Sequence, residues 1–176
     1  MILIIAGPSG SGKTTVGAML AGRLHWSFAD ADSFHPAANI EKMKQGHPLT
    51  DADRRPWLEA ICAWMDERIA AGESVVVTCS ALRRAYRAKL LAGRPEARLV
   101  FLAVDREALV SHLTGRHGHF FPRALLDSQL ADLEVPHGEE NVIVVNLEGR
   151  PEDTVAKILK ELRPVPARGD DPPDPR

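Results

Sequence analysis

Apolar positions along this chain change their period at regular intervals, and each change marks an element. Ile2-Leu3-Ile4-Ile5-Ala6 is a continuous apolar run, the pattern of a strand buried on both faces, after which Val16, Met19, Leu20 and Leu24 recur at helical spacing. Trp26-Ser27-Phe28-Ala29-Asp30 reads as a short second strand. His35-Pro36 opens a helix through Lys44, with Ile40 and Met43 on one face and Gly46 just past its end. Trp57, Leu58, Ile61, Cys62, Met65 and Ile69 define a longer amphipathic helix that Gly72 ends, and the carboxylates of Asp51 and Asp53 favour its start. Ser74 to Cys79 is a third strand buried on both faces, and a cationic helix with Arg83, Arg84, Arg87 and Lys89 follows. Arg98 to Val104 is the fourth strand; Asp105 caps the helix that runs to about Thr114. Pro122 to Leu133 predicts a short helix, Val142 to Asn146 a fifth strand, and Val155, Ile158, Leu159 and Leu162 a last helix. Strands alternating with helices at this spacing imply a three-layer α/β fold, a five-stranded parallel sheet with helices on both faces.

Between the first strand and the first helix lies Gly7-Pro8-Ser9-Gly10-Ser11-Gly12-Lys13-Thr14, which fits the phosphate-cradling pattern G-x-x-x-x-G-K-[ST] in the strand-loop-helix context that confirms it. Glycines let consecutive backbone N–H groups turn inward and approach an anion closely, and the helix that follows adds its positive end. Gly7, Ser9, Gly10, Ser11, Gly12, Lys13, Thr14 and Thr15 are therefore the expected nucleotide contacts. Lys13 reaches for the β- and γ-phosphates of ATP, and the Thr14 hydroxyl is placed to ligate Mg²⁺.

A phosphate cradle says nucleotide and leaves the reaction open, so the other strand ends have to supply the second half of the site. Asp30 and Asp32 lie at the mouth of strand two and Ser80 at that of strand three. Phosphoryl transfer needs a group to orient or deprotonate the attacking hydroxyl, and cations to offset charge on the moving phosphoryl. Asp32 suits the first role, and Lys13 with Arg116 the second, making Lys13, Asp32 and Arg116 the catalytic set. Asp30 either ends its strand or holds a Mg²⁺-bound water. Arg116-His117-Gly118-His119-Phe120-Phe121-Pro122 breaks the helical pattern and reads as a hinged cover, a lid over about 114–135 that closes and excludes water. Two arginine clusters, Arg54-Arg55 and Arg83, Arg84 and Arg87, flank strand three, and guanidinium forks are what an anionic substrate requires.

Composition narrows the partners. The 176 residues are 44% hydrophobic and 26% charged, ordinary for one domain, here 1–162. Residues 163–176 carry Pro164, Pro166, Pro172, Pro173 and Pro175 among charges and predict a disordered tail. A net charge of −2 without a basic stripe gives a nucleic-acid surface no support. No segment reads as a signal peptide or a membrane span, so a cytoplasmic protein is expected, with Cys62 and Cys79 as reduced thiols.

Longer stretches then carry a resemblance. Asp30-Ala31-Asp32-Ser33-Phe34-His35-Pro36, Asn39-Ile40-Glu41-Lys42-Met43, Asp53-Arg54 and Pro56-Trp57-Leu58 resemble the signature of the small P-loop gluconokinases. Cys79-Ser80-Ala81-Leu82, Tyr86-Arg87, Gly118-His119-Phe120 and Leu126-Asp127-Ser128-Gln129 match the same family in order. The resemblance implies a shikimate-kinase-like fold, a homodimer, and ATP-dependent conversion of D-gluconate to 6-phospho-D-gluconate. On that reading Asp32, His35, Arg54, Ser80, Arg87 and His119 face the substrate, with Arg54 and Arg87 favoured over Arg83 and Arg84 for its carboxylate. A shikimate-kinase-like enzyme for another hydroxy acid, or a nucleotide-binding protein without catalysis, is the alternative. Against the first, Cys79-Ser80-Ala81 stands where such kinases tend to carry a glycine triplet. Against the second, a nucleotide switch has no need of arginines around a substrate pocket.

Overall fold

In the computed structural model, which describes residues 1–105, 107–109, 123–147 and 149–162, the predicted strands form one parallel sheet. They are β1 (Ile2–Ala6), β2 (Ser27–Asp30), β3 (Val75–Cys79), β4 (Ala97–Ala103) and β5 (Val142–Asn146). Their order across the sheet is β2-β3-β1-β4-β5, every neighbouring pair parallel. The all-apolar β1 and the Val-rich β3, whose one polar residue is Thr78, are buried along their whole length, as nearly continuous hydrophobic runs require. Burying each large side chain of β1 is worth about 1.5–3 kcal/mol, which makes this strand the fold's centre.

Alternation along β1 divides the core in two. Ile2, Ile4 and Ala6 pack with Val75, Val77, Leu99 and Phe101 under helices α3 (Asp51–Ala70) and α4 (Arg84–Leu91). Leu3 and Ile5 face the other way, with Val76, Val100 and Leu102, beneath α1 (Lys13–Leu24) and α6 (Pro151–Leu162). Gly17 lets α1 ride close to the sheet: a Cβ there would stand 2.9 Å from Phe28 Cε2 and 3.0 Å from Thr78 Cγ2. Two shorter helices, α2 (Ala37–Lys44) and α5 (Arg123–Asp132), and a 3-10 turn (Ala31–Phe34) complete the described elements that shape the site.

Local signals explain the helix starts. Thr50 caps α3 in a reciprocal box: Asp53 N–H donates to Thr50 Oγ1 at 3.2 Å, and Thr50 N–H donates to Asp53 Oδ2 at 2.7 Å. Asp105 Oδ1 accepts the Ala108 N–H at 2.7 Å, the capping role expected of it. Cys62 and Cys79 are both free and buried thiols. Among the described residues no helix is long and apolar enough to cross a membrane. The Arg116 to Pro122 segment, with Arg116 and His119, and the proline-rich residues 163–176 lie outside the described residues.

Candidate active site

From β1 the chain runs one way to β2 and β3 and later the other way to β4 and β5, so the carboxyl end of β1 is a switch point, the place where open parallel sheets bind ligands. The glycine-rich loop sits there. Gly7, at φ +142°, turns the chain out of the strand, and a Cβ on it would stand 2.9 Å from both Leu102 O and Ser11 Oγ. Its N–H donates to Ser80 O at 3.1 Å, fastening the loop to the mouth of β3. Gly10 and Gly12 also have positive φ, the conformation that aims successive amides at one point. Helix α1 begins with no acidic residue in its first turn and no side-chain cap at Gly12, so its positive end faces whatever anion the loop holds. Lys13 Nζ reaches back along the loop and donates to Pro8 O at 2.9 Å. Thr15 is exposed on the first turn of α1.

Two carboxylates stand at the mouth of β2. Asp30 Oδ1 accepts the Asp32 N–H at 3.1 Å, while its Oδ2 accepts the Thr14 hydroxyl at 3.3 Å. The strand-ending aspartate is thus also the partner of the loop threonine. Asp32 leaves the cap of α2 to Pro36 and lines the cleft instead. Burial raises its carboxyl above the usual aspartate value of 3.8; neighbouring Asp30 adds to this and Lys13 opposes it.

Lys13, Asp32, His35, Arg54 and Ser80 line one cleft of about 390 Å³ with the loop's Ser9. The His35 ring stacks on Trp57 with centroids 4.3 Å apart and planes 11° from parallel. Burial, with Arg54 second, pushes its imidazole down to about 4, so it is neutral near pH 7. Arg54 projects from α3 and is anchored twice: Nη1 donates to Tyr86 Oη at 3.0 Å and Nη2 pairs with Asp132 Oδ2 at 2.8 Å. Tyr86 in turn donates to Asp51. Nη1 also stands 3.6 Å from Asp51 Oδ1; a guanidinium has five donors, more than these partners use, and Arg54 lines the cleft.

Arg87 departs from expectation. It is 1% exposed and lies off the cleft, its guanidinium donating to Glu139 Oε1 and Oε2 at 2.6 and 2.8 Å and to the carbonyls of Ala81 and Leu82. Its fork tethers the connection before β5 to the segment after β3, and Arg87 is not among the residues that line the cleft. Arg87→Met is expected to lower folding stability by about 3 kcal/mol, because Glu139 loses its buried partner, while leaving the substrate KM unchanged. Urea melts and steady-state kinetics on the same preparation check both halves.

Two cleft residues escaped the reading of residue types. Gln129 on α5 accepts the Ser9 N–H with Oε1 at 2.8 Å and donates from Nε2 to Ser9 Oγ at 3.0 Å. Asp132, three positions on and so on the same helix face, holds both Arg54 and Arg83. Neither belongs to a motif with its own mechanism; the one signal was the Leu126 to Gln129 segment within the longer resemblance.

The depressed His35 value has a consequence for stability. The unfolded chain, with an ordinary histidine near 6.5, binds a proton that the folded chain refuses until about pH 4. The stability contributed is therefore full above pH 6.5 and is lost as pH falls toward 4. Urea midpoints of the protein and of His35→Gln are expected to converge or cross on acidification through that window; a constant gap would contradict the assignment.

The chain matches known proteins throughout this architecture. The profile of a family described as AAA domain matches residues 2–136. A gluconokinase of Gluconobacter oxydans (strain 621H) is 45% identical over 161 residues, covering 92% of this chain and 90% of that protein. The crystal structure of a gluconokinase from Sinorhizobium meliloti 1021 superposes with TM-score 0.77 at 39% identity, covering 91% of this chain and 94% of the other. Shikimate kinase from Aquifex aeolicus, at 19% identity, 92% and 96% coverage and TM-score 0.57, shares the fold. Identity at this level across nine tenths of both chains, on a P-loop kinase fold of shikimate-kinase type, means that the chain belongs to the gluconokinase family.

Proposed function

We propose that this chain transfers the γ-phosphoryl group of ATP to the 6-hydroxyl of D-gluconate, giving 6-phospho-D-gluconate and ADP. The observation that carries the reading is the meeting, in one cleft, of the P-loop lysine Lys13, the buried carboxyl of Asp32 and the anchored guanidinium of Arg54. A small molecule with an anion at one end and a primary alcohol at the other is the complement of that arrangement. The relatives named gluconokinase supply the identity of the acid.

The roles follow from chemistry. Loop amides from Gly7 to Lys13, with Thr14 and Thr15, take the phosphates, and Lys13 draws charge from the γ-phosphoryl. Asp32 orients the attacking hydroxyl and takes its proton, a task suited to a carboxyl that burial raises above the ordinary aspartate value. Arg54 holds the carboxylate by its fork, with Ser80 and His35 along the polyol between. Arg116 and His119 belong to the lid we assign to about 114–135, closing over the reacting groups and excluding water.

The donor set fits Mg²⁺: a hydroxyl and a carboxylate oxygen, Thr14 and Asp30, 3.3 Å apart beside the loop. Among the described residues no three His, Cys, Asp or Glu side chains form a cage, which suits an ion that keeps waters and takes phosphate oxygens. Thr14 would hold it directly and Asp30 through water; when bound, the ion neutralises charge on the β- and γ-phosphates. The resemblance also supports a homodimer, with residues 1–162 as a single kinase domain. Light scattering is expected to give twice the 19.2 kDa chain mass.

ADP release measured with Mg-ATP is expected to depend on gluconate and to be negligible with ATP alone. Acid-independent ADP release, or nucleotide binding without turnover, would favour a nucleotide-binding protein.

A further inference from the structure

Asn39 is buried on α2, and one atom of its side chain, Nδ2, meets two partners: Asp53 O at 2.8 Å and His35 Nδ1 at 3.4 Å. A backbone carbonyl has no hydrogen to give, so the amide must turn its NH₂ toward Asp53. Flipping it would set Oδ1 against Asp53 O, oxygen to oxygen. The second hydrogen of that same NH₂ then points at His35 Nδ1, which has to answer with a lone pair. A neutral imidazole carries one proton, and with Nδ1 accepting, that proton sits on Nε2.

The ring has little freedom to escape this assignment. Trp57 stacks on it, and Trp57 is itself pinned by donating from Nε1 to Ala31 O at 2.7 Å. His35 lines the cleft, and Nε2 has no hydrogen-bond partner among the described residues. The charged groups around the same cleft are Lys13 on the P-loop, Asp32 on the 3-10 turn, Arg54 on α3 and Asp132 on α5.

We propose that Asn39 is a positioning residue that locks His35 in the Nε2–H tautomer, so that His35 acts as a neutral hydrogen-bond donor to an oxygen of the bound polyol acid. The identity of that acid rests on the function proposed above; the tautomer does not. Proton removal is left to Asp32, and His35 contributes discrimination. An acid lacking the oxygen that Nε2–H addresses leaves a half-buried donor unanswered, and its kcat/KM falls by about 10- to 100-fold.

Two measurements test this. Long-range proton–nitrogen correlation spectra of ¹⁵N-histidine-labelled protein, with His35 assigned by its loss in His35→Phe, are expected to show the Nε2–H pattern from pH 6 to 8. A Nδ1–H ring, or an imidazolium at pH 7, overturns the lock whatever the substrate. Second, His35→Phe keeps an aromatic ring on Trp57 without the donor, and His35→Gln restores a side-chain N–H. The first is expected to raise KM for gluconate by about 10- to 100-fold, with kcat and KM for ATP nearly unchanged, and the second to recover part of the loss. An unchanged KM in His35→Phe, or a fall confined to kcat, overturns the donor role. Absence of turnover with gluconate in the unaltered protein would instead count against the acid's identity, and the nitrogen spectra would still decide the tautomer.

Discussion

Asp32→Asn is expected to lower kcat by about 10²- to 10⁴-fold while leaving the KM for ATP within a factor of about two. The substitution keeps size and shape but replaces a carboxylate oxygen by an amide that cannot take a proton. Nucleotide affinity is expected to be spared because the phosphate contacts proposed above are the loop amides, Lys13 and the start of α1, and Asp32 reaches them only through its charge on Lys13. The pH profile supplies a second readout. Burial and the charge of Asp30 raise the Asp32 carboxyl, with Lys13 opposing, so the acid limb of kcat/KM is expected above the ordinary aspartate value of 3.8. That limb should disappear in the asparagine variant. Turnover near that of the unaltered protein, with the limb intact, would remove Asp32 from proton transfer.

The second large effect is at Arg54, which lines the same cleft. Arg54→Lys is expected to raise KM for gluconate by about 100-fold, with kcat changing less and KM for ATP not at all. Charge is kept, so what is lost is geometry: a planar fork held between Tyr86 and Asp132 becomes a single ammonium that cannot face a carboxylate with two parallel donors. The companion Arg87→Lys should leave KM alone, since Arg87 is closed off by Glu139 and two backbone carbonyls. Equal effects from the two lysine variants would show that the arginine facing the acid has been misassigned.

That contrast also shows where residue patterns carry information and where they stop. Strand-loop-helix order around Gly7 to Thr14, and the long apolar runs of β1 and β3, were legible because backbone geometry and two-sided burial each demand a residue type at every position. Asp32 was legible for a topological reason: it follows directly after a strand end, and parallel sheets place such residues at the ligand. The arginines were different. Arg54 and Arg87 are the same residue type in helices packed on the same face of the sheet, and what separates them is how much of each guanidinium its distant partners take up. Glu139, 52 residues away, and two backbone carbonyls engage all three nitrogens of Arg87, whereas Tyr86, Asp51 and Asp132 engage Nη1 and Nη2 of Arg54. Partners so remote along the chain leave no periodicity to read. Gln129 escaped for the same reason, its bond to Ser9 spanning 120 residues. Asn39 sits on α2 as a single buried amide, and its meaning emerges only when the carbonyl of Asp53 fixes which way the amide faces.

On the function proposed above, this cleft selects a linear six-carbon polyol acid and phosphorylates its terminal alcohol. The most direct measurement is a competition: equimolar gluconate, shikimate, glycerate and AMP incubated together with Mg-ATP and a catalytic amount of protein, followed by ³¹P NMR. One new phosphomonoester resonance is expected, coincident with added 6-phospho-D-gluconate and growing in step with ADP. A dominant phosphoester of any other acceptor, or ATP consumed with only inorganic phosphate appearing, would contradict that function.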